Sequence, residues 1–494
     1  MTLTKSEYLL FLKHRAWVWL KKYAKDKIPP IDAATQAIFD AGKALETYAY
    51  QLFPGGYELG FNGYAQYQDL ADRTQLALSE GHTTLFQARF DAGQLICLTD
   101  VVVFTSPTTV KLYEIKSSTK IKDEHIFDLA FQVVVLEGAG YTVEEVAVIH
   151  INSSYVRQGE VVASELLTTS VITEQVLAKR ELTKLQIDQA FQIISSSQMP
   201  DISPRHCRLN SLQDWMPIYR TLTEVPALSI YDLAYPTAPL IGWLEDKQIV
   251  NLVDIPDDAE LSDKQRRQVI SCKEGKASIN TAAISEFLAN LQYPLYFFDY
   301  ETAMGAVPLY EGSKPYQQVP TQYSLHILDE PGGTLRHTEF IQRTSESPFE
   351  ALSQSLRADI GDTGSILVWY AKFESSRNTE IGEHLAEFTD FFTDLNARMV
   401  DLMQPFNDGH YIHPDFMGSS SIKKVLPVLV PELSYKNLAV QEGQTAQRLW
   451  MRVILEGKAT PQEQEQLCKD LLAYCELDTM AMVRIFEHLQ QICK

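Results

Sequence analysis

Asp299 and Glu301 close a run of apolar residues in YPLYFFDYET, residues 293–302. Pro294 in front and Gly305 behind bound the run, so it reads as a short buried strand. On a strand, residues two apart point to one face, which sets the two carboxylates side by side. Adjacent carboxylates repel unless a cation lies between them, and a divalent metal is the usual one. The plainer reading is a strand end turning into a solvated loop. A second group lies earlier in the chain. Asp100 ends LICLTD, and Glu114 and Lys116 share a face of the next strand. Two acids and a lysine converging at a hairpin suit metal-dependent phosphodiester hydrolysis. The acids hold Mg2+ or Mn2+, and the lysine positions water and offsets the developing charge. A surface salt bridge is the plainer alternative here.

Further acids extend the later group. Glu374 starts a helix in AKFES, directly after the apolar VWY. Tyr474 and Asp478 stand four apart, on one face of a C-terminal helix. Asp401, in MVDLMQ, is a substitute for Glu374 or a neighbour of it.

These residues belong to a chain of 494, long enough for two or three domains. A hydrophobic content of 45% with 22% charged residues is that of a soluble globular protein. The formal net charge of −21 argues against a nucleic-acid coat protein but not against a locally basic groove. No apolar run approaches the roughly 18 residues of a membrane span. The N-terminus reads as an amphipathic helix capped by Thr4, without the cleavage site of a signal peptide. Six scattered cysteines without CxxC spacing fit a reducing cytoplasm and exclude a zinc ribbon.

Periodicity and turn signals predict a helix over 33–52 and three antiparallel strands over 82–90, 94–105 and 109–118. A helix over 124–138, a strand over 143–152 and a helix over 166–197 follow. Residues 201–285 read as a small helical module broken by Pro and Asp. It is either a spacer or a holder of nucleic-acid backbone, with Lys264, Arg266, Arg267 and Lys273 as its basic side. From residue 286 onward, two strands joined by DEPGG follow the acidic strand. Next come a helix over 348–360, a strand over 365–370, a helix from 373, and a strand or helix holding Asp401. A Ser-capped helix at SSSIKK and a pair of amphipathic helices over 461–493 end the chain. The overall class is α/β and multidomain.

The order Asp100, Glu114-Ile115-Lys116, Gln132 resembles the RecB-like branch of the PD-(D/E)xK nucleases. The likeness implies a restriction-endonuclease-like domain over 1–200, with Gln132 on a helix over the site. AGKALETYAYQLFPGG resembles the early GxxxH motif of that branch, with Glu46 as a metal ligand where many members have His. Gln87 stands where a Glu is common. Many relatives hold an iron–sulfur cluster on four cysteines. Here His14 takes the first place and only Cys207 remains of the trailing set. No cluster is expected, and Trp17, Trp19, Trp215 and Tyr219 should pack the region instead.

Asp299-x-Glu301, Glu374 and Tyr474-x-x-x-Asp478 resemble the DEDD exonucleases of ribonuclease H-like fold, over 286–494. There, four carboxylates hold two metals roughly 4 Å apart and the tyrosine orients the attacking water. Glu374 departs from the usual Asp. Together the halves resemble an uncharacterised bacterial family that fuses the two, and the likeness covers nearly the whole chain. It implies a cytoplasmic nuclease using Mg2+ or Mn2+ on DNA, single-stranded by preference, with RNA the other candidate. The context implied is repair, mobile elements or defence, and the second half trims 3′ ends. The competing reading is a nucleic-acid-binding or scaffold protein with one or both sites decayed, motivated by Glu46, Gln87 and Glu374.

Overall fold

Side-chain alternation along two hydrophobic sheets decides where every candidate residue points. A computed structural model describes residues 1–31 and 33–494, with side chains everywhere except at 33–34 and 37–41. Its contacts divide the chain into two compact units, Met1–Glu224 with Gly305–Tyr316, and Val225–Met304 with Gln317–Lys494. Residues 201–224 therefore fold with the first unit, and the helical pieces from Val225 onward fold with the second.

In the first unit, Thr84–Ala92, Leu95–Ser106 and Thr109–Lys116 form an antiparallel run. Thr109–Lys116 then pairs in parallel with Thr142–Ile151. A parallel pair needs a crossover, and helix Asp123–Gly138 supplies it. That helix buries Leu129, Phe131, Val133 and Leu136 against Val176 and Ile187 of helix Thr173–Ser195. The expected helix over 166–197 begins later than predicted. Leu167–Val171, rich in β-branched residues, instead joins the sheet beside Thr142–Ile151.

The N-terminal segment is two helices, Lys5–Lys13 and Arg15–Tyr23, broken at His14. Thr4 caps the first reciprocally with Glu7, as a capping box. The His14 ring stacks on Trp215 with centroids 3.8 Å apart, and Trp17, Trp19, Cys207 and Tyr219 pack around them.

In the second unit, strand Leu295–Ala303 lies at the centre of the order Leu335–Ile341, Val319–Leu328, Leu295–Ala303, Ser365–Val368, Met399–Asp401. The first three strands are antiparallel and the last two join in parallel. Leu295 and Phe297 pack with Ile485, Phe486 and Leu489 of helix Pro461–Ile492. Tyr296 and Tyr300 turn the other way, where their hydroxyls meet Gly361 N and Asn378 Oδ1. Asp299 and Glu301 share the parity of Phe297, so they emerge on the side of the C-terminal helix. The pair of helices expected over 461–493 is one helix of 32 residues. A capping box at Thr460 and Glu463 starts it, and no Gly or Pro after Pro461 interrupts it. Ser421 precedes helix Ile422–Leu429, but its hydroxyl makes no capping bond.

Three of the expected basic residues serve local structure. Lys264 donates to Asn407 O, Arg266 to Asp257 O, and Lys273 pairs with Asp257.

Gly364 sets the start of strand Ser365–Val368. Its φ is +96°, and a Cβ there would lie 2.1 Å from the Pro294 carbonyl oxygen. Only a glycine permits both the dihedral and the close approach. Gly364→Ala is expected to destabilise the second unit by about 2 kcal/mol or more, read as an earlier unfolding transition. An unchanged transition would contradict this account of the strand.

Candidate active sites

The second unit gathers four acids in a cleft of about 420 Å3, lined also by Trp369, Tyr370, Lys423, Gln444 and Tyr474. Carboxylate oxygens of Asp299, Glu301 and Asp478 lie within 4.8 Å of one another. Glu374 enters from the first turn of helix Ala371–His384, and its buried Oε2 has no hydrogen-bond partner. Burial, then Glu374, Asp478 and Glu301, push Asp299 well above the carboxylate range. Burial and Asp478 raise Glu301 to about 8, against the pull of Lys423. Burial raises Asp478 to about 6, opposed by hydrogen bonds from Tyr435 and Tyr474 and by Lys423. Burial and Glu301 hold Glu374 well above its usual value. Acids so placed ionise together only when a cation compensates them. An all-carboxylate donor set with one orphaned buried oxygen fits a hard divalent ion.

Tyr474 is buried, and its phenol is pushed upward by burial and by Asp478, so it stays protonated. Asp401, the substitute considered for Glu374, has another task. Its carboxylate accepts from Tyr370 N at 3.1 Å, Ala371 N at 3.0 Å and Met403 N at 3.0 Å. It thereby holds the start of the helix that carries Glu374. Tyr370, left-handed at φ +81°, makes the sharp turn between strand and helix.

Two contributors escaped the sequence reading. Tyr435 donates its hydroxyl to Asp478 Oδ1. Lys423 Nζ lies 5.9 Å from the ring centroids of both Tyr435 and Tyr474. Neither residue has a spacing that ties it to the acids; only the packing of helix Ile422–Leu429 and the turn Tyr435–Asn437 brings them there.

In the first unit, Asp100, Glu114, Lys116 and Gln132 also converge. Ile115 N donates to Asp100 Oδ2 at 2.7 Å, and Gln132 Nε2 donates to Glu114 Oε2 at 2.8 Å. Lys116 Nζ bridges Glu114 Oε1 at 2.8 Å and Asp128 Oδ2 at 2.7 Å. Lys5 Nζ, from the N-terminal helix, reaches Glu114 Oε1 at 2.8 Å and Asp128 Oδ1 at 3.5 Å. Lys5 and Asp128 had no signal in the sequence, although Asp128 stands one helical turn before Gln132. Burial and Glu114 raise Asp100 to about 7. Burial opposes ionisation of Asp128, but Lys5 and Lys116 hold it well below the usual range. Glu46 stands apart from this network and bonds Gln87 Nε2 at 3.3 Å. Gln87 is itself left-handed at φ +57°, and the ladder skips its pairing with Asp100. Lys5 and Lys116 thus compensate Glu114 and Asp128, while Asp100 remains raised by burial and Glu114, Gln132 Oε1 is buried without a partner, and Glu114 is among the charges that raise Glu46.

A family model described as a domain of unknown function (DUF2779) matches residues 296–421, which include Asp299, Glu301 and Glu374. The uncharacterized protein UU173 of Ureaplasma parvum is 28% identical over 234 residues, 43% of this chain and 33% of its own length. The uncharacterized MG366 homolog of Mycoplasma pneumoniae is 28% identical over 207 residues, 38% of this chain and 31% of its own length. The chain spans about a third of the length of these curated relatives. Among solved structures, an alkaline exonuclease of Laribacter hongkongensis is similar at 12% identity and a TM-score of 0.18, over 39% of this chain and 90% of that one. No described helix is long and apolar enough to cross a membrane.

Two outcomes follow from these charges. Glu301 at about 8 and Asp478 at about 6 lie above their ordinary values of 4.5 and 3.8, so folding favours their protonated forms. The stabilisation is complete below about pH 4 and is lost as pH rises through 6 to 8. A divalent metal held by the ionised acids would reverse that loss. Without metal, the melting temperature of the second unit should fall from about pH 5 to pH 8, and Mn2+ should raise it more at the higher pH. A Mn2+ effect independent of pH would refute the assignment. In the first unit, Lys5→Met leaves Glu114 and Asp128 with Lys116 alone and should cost about 3 kcal/mol in urea unfolding.

Proposed function

We propose that the chain is a metal-dependent nuclease whose cutting site is the acidic cleft of the second unit. The observation that carries this reading is the gathering of Asp299, Glu301, Glu374 and Asp478 around an unpartnered buried oxygen. Strand order supports it too, since three antiparallel strands followed by two parallel ones suit a ribonuclease H-like domain. The proposed substrate is DNA, single-stranded by preference, trimmed from its 3′ end in repair, mobile-element or defence work.

Divalent ions held by the four carboxylates would polarise the phosphodiester and offset its developing negative charge. The chain's own residues do the rest. Tyr474, kept as a phenol beside Asp478, orients the attacking water through its hydroxyl. Lys423 adds positive charge at the rim of the acid cluster. Trp369 and the half-exposed Tyr370 line the cleft and offer faces on which a base can stack. Attack of the water on phosphorus, with its proton lost to solvent, breaks the bond to the 3′ oxygen, which leaves as an alkoxide and takes a proton from solvent to become the 3′ hydroxyl.

For the first unit, the lysine-compensated acids favour the second reading, a decayed RecB-like site that holds nucleic acid rather than cutting it. Mn2+-dependent digestion of end-labelled single-stranded DNA distinguishes these roles. Asp299→Ala is expected to lower kcat about a hundredfold or more. Lys116→Ala should raise KM with kcat little changed if the first unit only binds, and should lower kcat if it cuts. Full activity in the double variant would sink the proposal.

A further inference from the structure

We propose that His326, His337 and Glu476 form a second metal site in this unit, one that takes a divalent transition ion of the zinc class. It stands independently of the nuclease reading. The three ligand atoms lie within 4.8 Å of one another and come from three elements. His326 and His337 are directly opposed on neighbouring strands, with ring centroids 4.5 Å apart. Glu476 lies above them on helix Pro461–Ile492.

The hydroxyls around the rings support the assignment. Thr479 Oγ1 contacts His326 Nδ1 at 2.8 Å, Ser324 Oγ at 2.7 Å and the Glu476 carbonyl at 3.1 Å. Ser324 Oγ also meets His337 Nε2 at 2.9 Å. One set of protons satisfies every contact. Thr479 donates to the Glu476 carbonyl and accepts from Ser324 and from His326 Nδ1, while Ser324 accepts from His337 Nε2. His326 Nε2 and His337 Nδ1 are then left as bare lone pairs. Rings fixed by a hydrogen bond at the far nitrogen are the usual outer support of histidine metal ligands. The charged group that faces His326 is Arg484. Arg484 is itself paired with Glu487, and Glu339 adds a further carboxylate close to His337.

Two imidazoles and one carboxylate select borderline transition ions, whereas the all-carboxylate cleft selects Mg2+ or Mn2+. Three protein ligands leave a fourth position for water. Bound there, the ion would tie the Val319–Leu328 and Leu335–Ile341 strands to the helical turn that carries Tyr474 and Asp478.

The test is calorimetric titration of the chelator-stripped full chain with Zn2+. One tight equivalent is expected, with a rise in melting temperature as a second readout. His337→Ala and Glu476→Gln, at half-buried and exposed positions, should each weaken binding roughly tenfold or more, and Thr479→Val by about 10–100-fold. Asp299→Asn should leave this equivalent in place. Equal Zn2+ affinity in the wild type, His337→Ala and Glu476→Gln would overturn the proposal. So would loss of the tight equivalent in Asp299→Asn, which would place the ion in the acidic cleft.

Discussion

Mutual repulsion among buried carboxylates is the constraint around which the second unit is built. Asp299 and Glu301 cannot turn away, because the pleat commits them to the side of Phe297, and Phe297 is locked into the core with Phe486. Asp478 cannot withdraw, because its helix continues for several turns into the same core. Glu374 is held by a helix whose first amides are secured to Asp401. The hydrophobic framework thus imposes a concentration of negative charge that the acids alone would avoid. Raised proton affinity is the response without metal, and a hard cation is the complementary one.

The first unit meets the same problem in another way. Its acids sit on a hairpin and a crossover helix, but two ammonium groups reach in to pair with Glu114 and Asp128. One of these, Lys5, comes from a helix more than a hundred residues upstream of Glu114 in sequence. Compensation by fixed cations pairs Glu114 and Asp128, whereas no ammonium group is paired with the acids of the second cleft among the described ion pairs. Two acidic sites of similar composition therefore differ in electrostatic character because of what packs against them.

Much of this was legible from residue types and spacing. The strand of Asp299 and Glu301, the hairpin of Asp100 and Glu114, and the i to i+4 pair Tyr474 and Asp478 all follow from local periodicity. Local rules determine which side chains share a face. Long-range partners were hidden. Lys5, Asp128, Lys423 and Tyr435 enter their sites only through tertiary packing, and no spacing within their own segments announces it. The C-terminal helix was misjudged as two, since amphipathic periodicity cannot reveal whether a long helical stretch bends back on itself. Asp401 had the composition of a ligand, yet three backbone amides claim its carboxylate, an outcome fixed by the left-handed turn at Tyr370. No local spacing pairs His326 with His337, which meet only through the strand register.

The unbroken helix Pro461–Ile492 has a mechanical consequence. At 1.5 Å per residue it is a rod of about 48 Å. The Tyr474–Asp478 turn lies near its middle, and its second half is clamped into the hydrophobic core. A rod fixed along one arm acts as a lever, and a small pivot about the clamped arm sweeps the other end through a larger arc. Tyr474 and Asp478 sit close to the fulcrum, where such motion is least. Their spacing is set by the clamped arm, and the other arm is itself tied down where Gln322 Nε2 donates to the Leu471 carbonyl and Arg343 pairs with Glu465.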